Sequence, residues 1–253
     1  MKISTIVEPR IIRKPIILLF WIIIWEVCSK VVNSPILLPS PFEVIKAFIS
    51  LAAEVYFWKS IFQSLFRVIL GISISVFGGI VLGIFAGLNK FVEDLLEPVI
   101  VTVKATPVIS IIIIALVWFT SSKVVVFTAI LICFPIVYTN VLEGIRSIDG
   151  KLIEMANIYK VKKRHILIDI YLPGIKNYIV SGIVMCLGIG WKVSVASEVL
   201  STPKYSIGLN LLNSKTMLET SELFAWTVTV ILMSFIFEKV FRFCLREFRS
   251  ENV

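Results

Sequence analysis

From Val68 to Leu88 the chain runs without a single charged side chain. About 20 apolar residues are what an α-helix needs to cross a bilayer core. Ala105–Ser122 and Val124–Leu142 repeat the feature, separated only by Lys123, and Asn177–Ser197 is interrupted only by Lys192. Leu223–Phe237 and Pro15–Cys28 are shorter runs of the same kind. In hydrocarbon every backbone amide must find its partner within the segment, so such runs read as helices. With 58% hydrophobic and 17% charged residues, the chain carries more apolar surface than one soluble core can hide. The expected fold is all-α: a polytopic membrane protein of about six transmembrane helices with a cytoplasmic loop.

The first run follows Arg10, Arg13 and Lys14, as a signal peptide would. No small-x-small cleavage site follows it, and Trp25-Glu26-Val27-Cys28 is not a lipoprotein box, so a retained helix is expected.

The net charge of +8 does not form a nucleic-acid-reading face; the basic residues lie between the apolar runs. With both termini inside, sixteen Lys and Arg face the cytoplasm, most of them between Arg146 and Lys176 and at the two ends. Six (Lys30, Lys46, Lys59, Lys123, Lys204 and Lys215) face out. That asymmetry follows the positive-inside rule and predicts cytoplasmic termini. Gly71, Ser75, Gly79, Gly83 and Gly87 recur every fourth residue, a ridge that lets a second helix approach closely. Cys28, Cys133, Cys186 and Cys244 are scattered through apolar stretches and read as small buried hydrophobes; with one histidine, no metal site is expected.

The longest polar stretch, Arg146 to Lys176, reads as two short helices with a charged elbow. Asp149 is placed to cap a helix from Gly150, with Leu152, Ile153, Ala156, Ile158 and Tyr159 as its apolar positions. Lys160 to His165 marks the bend, and a second piece, Ile166 to Leu172, is expected to end at Pro173-Gly174.

This stretch resembles the cytoplasmic motif of permease subunits of bacterial ABC importers: Glu-Ala-Ala, three residues, Gly, nine residues, Ile-x-Leu-Pro. Glu154, Met155 and Ala156 open it, and Ile170, Tyr171, Leu172 and Pro173 close it at the same spacing. Met155 stands for the second-position Ala and Lys160 for the Gly. Lys pays for a positive φ where Gly does not, so an altered turn is expected at the elbow. Further pieces look like the nitrate/sulfonate/taurine branch of these permeases. They are Leu38-Pro39-Ser40-Pro41, Ser64-Leu65-Phe66-Arg67-Val68, Ala105-Thr106-Pro107, Phe134-Pro135-Ile136, Gly190-Trp191-Lys192, Ala196-Ser197-Glu198 and Phe224-Ala225-Trp226.

The resemblance implies that Glu154, Met155, Ala156, Lys160, Ile170, Leu172 and Pro173 couple to separate ATPase subunits. It implies an extracytoplasmic solute-binding protein that meets the Leu200–Glu222 loop, and a second permease copy in the bacterial cytoplasmic membrane, with lipid around it. The implied solute is a small anion such as a sulfonate, taurine or nitrate, although relatives in the branch carry pyrimidine compounds. No Gly-x-x-x-x-Gly-Lys-[Ser/Thr] loop is present, so no cofactor is expected in this chain and ATP and Mg belong to the partner. The alternative is a stand-alone secondary carrier or channel, for which inverted repeats and intramembrane carboxylates would be expected.

The expected organisation is an N-terminal tail, first helix and external segment over 1–60, a permease domain over 61–245 and a tail over 246–253. Lys192, a charge inside a span, either faces the translocation pathway or snorkels or pairs with Glu198. Trp191 reads as a pathway wall or an interface anchor. Arg67 and Lys104 lie near helix ends, where snorkelling accounts for them. Pro107 and Pro135 can kink their helices. The candidate pathway residues are therefore Pro107, Trp191, Lys192 and Glu198.

Overall fold

The computed structural model describes residues 9–250; Lys2 and the last three residues of the C-terminal tail lie outside them. The helices are α1 (Pro9–Val32), α2 (Pro41–Ala52), α3 (Val55–Leu88), α4 (Lys90–Ala105), α5 (Val108–Trp118) and α6 (Ser121–Arg146). They continue with α7 (Gly150–Ile158), the single turn α8 (Lys163–His165), α9 (Leu172–Ser201), α10 (Ile207–Thr216) and α11 (Thr220–Ser250). There is no strand among the described residues. Among the described residues, five helical segments are long and apolar enough to cross a membrane, or six if α4 and α5 together make one span. The all-α polytopic fold is as the sequence implies.

The third span differs from expectation. Ala105–Ser122 is not one helix, because α4 and α5 meet at a bend of 105°. Pro107 has no amide hydrogen to continue the ladder and holds Thr106 extended, at φ −78° and ψ 130°. The 11 residues of α5 rise about 16 Å, half of a hydrocarbon core.

The chain forms two compact units. Of the described residues, the first comprises those up to Trp58 together with Asn210–Val230, and the second comprises Lys59–Leu209 and those from Ile231 onward. Residues 210–230 thus group with the N-terminal part, a return not contained in the expected division at residue 60. In the first unit α1 is followed by a turn that its own side chains hold. Trp25 Nε1 donates to the Pro39 carbonyl at 3.1 Å, and Ser29 Oγ to that of Leu38 at 2.9 Å. Ser40 then caps α2 with a reciprocal box: its hydroxyl accepts from Glu43 N, and its own amide donates to Glu43 Oε2. Cys28 is exposed, against expectation, because α1 presents an apolar surface on nearly every side.

The second unit is built on α6 and α9. The small-residue ridge of α3 lies against α6 so closely that a methyl group on Gly71, Gly79 or Gly83 would come within 2.6–2.8 Å of Ala129, Val137 or Val141. Ser75, in the same register, donates to the carbonyls of Gly71 and Ile130. Between α6 and α9, Gly190 rests on Cys133 Sγ, and Cys186 Sγ donates to the Cys133 carbonyl at 3.4 Å. Small residues thus bring the backbones together, which is how helices pack where lipid removes the hydrophobic drive.

Candidate functional site

Helix α9 separates two polar assemblies by about 45 Å, its 30 residues at 1.5 Å each. At its N-terminal end lies the 146–176 loop. Asp149 Oδ1 accepts from Lys151 N at 2.9 Å and starts α7 as the sequence predicts. The end of α7 is closed by two backbone bonds, Val161 N to Ala156 O at 2.9 Å and Lys160 N to Asn157 O at 3.0 Å. This pair is the Schellman pattern, whose penultimate residue is left-handed and usually glycine. Lys160 occupies that position at φ 54°. The turn is therefore kept, not altered, and lysine bears the steric cost.

The second half of the loop departs from expectation. After α8 the chain makes one wide turn, Ile166–Tyr171, in which Leu172 N reaches back five residues to Leu167 O. It then runs on through Pro173 into α9 without a break. A proline ring collides with the carbonyl four residues before it in a regular helix, and the widened turn relieves that contact. His165 Nδ1 lies 3.4 Å from Asp169 Oδ2 across the same turn.

Few apolar side chains of this loop are inside. Ala156 and Ile166 are buried, and Ile170 is half-buried. Leu152 and Met155 are about half exposed, and Ile158 and Tyr159 are each 77% exposed. Glu154, Lys160, Leu172 and Pro173 are exposed as well. Just before the loop, Arg146 pairs with Glu93, which also accepts from Lys90 at 2.9 Å. The end of α6 is thereby tied to the start of α4.

The opposite end of α9 holds a buried charge cluster that the sequence reading missed. Glu198 is fully buried; its carboxylate accepts from Arg67 Nη1 at 3.1 Å, Ser64 Oγ at 2.8 Å and Gly208 N at 3.2 Å. Arg67 is not snorkelling: it is buried and donates also to the carbonyls of Lys204, at 2.9 Å, and Tyr205, at 3.2 Å. Helix α3 begins at Val55, so Ser64 and Arg67 are one turn apart within it and face α9 together. The legible signal was a pair of opposite charges, each bordering an apolar run.

Of the alternatives open for Lys192, this removes pairing with Glu198, since Glu198 is committed to Arg67. Lys192 is exposed on a face of α9 with Met185, Ile189, Ala196 and Leu200. Beside it nothing lies within 4 Å of where a methyl group on Gly188 would be. Trp191 is fully buried in the packing around α9 and presents no wall or anchor at the surface. Lys104 is exposed and donates to Thr139 Oγ1 at 2.8 Å. Pro107 is exposed at the α4–α5 bend. A cleft of about 430 Å³ beside Arg67, lined by Phe66, Leu70, Phe127 and Lys123, involves none of the four candidate pathway residues.

Apolar helices locked by small residues, with a capped and open loop at one end, define a multi-pass membrane protein. The chain belongs to the binding-protein-dependent transport system inner membrane components, a family that matches residues 79–246, and so is the permease subunit of an ABC importer. It is 26% identical to the taurine transport system permease protein TauC of Escherichia coli (strain K12), over 85% of this chain and 80% of that protein. It is 31% identical to the putative aliphatic sulfonates transport permease protein SsuC of the same strain, over 78% and 75%. Against the nitrate import permease protein NrtB of Synechocystis the identity is 28%, over 78% and 75%. A stand-alone carrier or channel is thereby set aside.

Proposed function

We propose that this permease pairs with a second copy to form the pathway for a small anion, and that separate ATPase subunits, which bind the ATP and Mg, dock on Glu154–Pro173. One observation carries the docking assignment: α7 lies outside every candidate span, yet Leu152, Met155, Ile158 and Tyr159 stand open on it. Exposed apolar patches rimmed by charge mark protein contacts, and Lys160, Lys162, Lys163 and Arg164 supply the rim. The sixteen-to-six charge asymmetry supports placing this loop and both termini in the cytoplasm.

The solute assignment draws on the taurine, sulfonate and nitrate relatives and on Lys192. An ammonium in an otherwise apolar exposed row, doubled by a symmetric partner, would lower the barrier for an anion. A solute-binding protein would deliver at the opposite membrane face.

Replacing Ile158 and Tyr159 by Asp together tests the docking assignment. The variant is expected to insert and accumulate normally but to lose at least about tenfold in ATPase affinity, read as co-purification from detergent extracts. Undiminished co-purification would overturn it.

A further inference from the structure

The cluster around Glu198 does more than neutralise two buried charges. Every strong bond it makes outside α3 and α9 goes to the backbone that follows α9. Arg67 holds the carbonyls of Lys204 and Tyr205, Ser64 Oγ accepts from Ile207 N at 3.0 Å, and Glu198 accepts from Gly208 N. The loop also closes on itself. Ser206 Oγ donates to the Pro203 carbonyl at 2.9 Å and accepts from Leu209 N. Gly208 is pressed so tightly on α9 that a methyl group there would lie 2.4 Å from Glu198 Cβ. Thr202 and Tyr205 are held at φ 47° and 53°. Left-handed residues other than glycine persist only where their surroundings over-determine them, and they gather at functional surfaces.

A connection between membrane helices needs no unique shape in order to fold, yet this one is fixed from several directions. What it displays is positive. Lys59 Nζ sits 4.0 Å from the centre of the Tyr205 ring and Lys204 Nζ 5.1 Å, so one ring gathers two ammonium groups. Both lysines are exposed, and neither has a carboxylate within ion-pair distance among the described residues.

We propose that Thr202–Ile207 is a preformed docking element on which Lys59 and Lys204 meet acidic side chains of the solute-binding protein, and that Ser64, Arg67 and Glu198 are positioning residues that set its shape. The inference rests on the importer reading above. A fixed backbone argues for a protein rather than lipid headgroups, which conform to any basic surface. Preorganisation removes the ordering cost at each docking event, and the two ammonium groups steer the encounter.

The test uses the complete complex with its ATPase in nanodiscs and measures the binding-protein concentration that half-maximally stimulates ATP hydrolysis. Replacing Lys59 and Lys204 together by Gln should raise that concentration about tenfold and flatten its salt dependence, and Arg at both positions should restore it. Ser64→Ala should raise it about threefold without lowering the maximal rate, and should speed tryptic cleavage after Lys204. An unchanged half-saturation in the double Gln variant would overturn the inference. So would a fall in maximal rate alone, which would assign the lysines to the solute, or an effect that disappears with anionic lipid, which would assign them to the membrane. Failure of the wild-type complex to respond to any binding protein would instead sink the importer reading itself.

Discussion

The two ends of α9 solve opposite problems with similar residue types. At the 202–208 end, charge is buried and its partners are all within the chain: Glu198 has three donors and Arg67 three acceptors. At the 146–176 end, the basic side chains are exposed and Leu152, Met155, Ile158 and Tyr159 stay open. A closed network stabilises one shape; an open surface leaves energy to be gained by a partner. Burial, not composition, separates a positioning device from a docking face.

The largest effect should come from opening the closed end. Glu198→Ala strands the Arg67 guanidinium in the packed interior, a loss of about 3–5 kcal/mol for a broken buried pair. It should appear as poor accumulation and a lowered Tm in detergent. Arg67→Ala should cost as much, and the double variant clearly less than the sum of the two. Additive losses would mean that the two residues act separately. The next effect lies between the ends. Lys192→Met is expected to leave accumulation and ATPase association intact while lowering uptake of an anionic solute about tenfold. Unchanged uptake in vesicles would remove Lys192 from the pathway.

The smallest effect sharpens the open end. Lys160→Gly should stabilise the α7 turn by about 1 kcal/mol, because glycine meets no clash at positive φ. Slower hydrogen exchange at Val161 N would report it; no change would mean that the Schellman turn is not limiting there.

Much of this was legible in the residues. Uncharged runs gave the spans, the four-residue spacing of Gly71 to Gly87 gave a close helix contact, and Asp149 gave a cap, because each is a local or periodic signal. The third span was misread because an apolar run looks the same whether or not Pro107 breaks it. The end of the second loop piece was misplaced because proline stops a regular helix but not one with a widened turn ahead of it. The Arg67–Glu198 pair escaped because its partners are 131 positions apart, and no spacing rule joins them. Pairing with Glu198 was one alternative for Lys192 since both sit on α9, yet six residues along a helix point in different directions.

The wide turn at Ile166–Tyr171 has a geometric consequence of its own. Each residue of an α-helix advances the side-chain direction by about 100°, so a chain one residue shorter here would close into regular helix and swing everything before it by that angle. The turn therefore works as a phase setter. It contributes to the bearing of the exposed α7 surface relative to the row that carries Lys192, and an insertion or deletion inside it would rotate the two ends against each other without touching the Glu198 cluster.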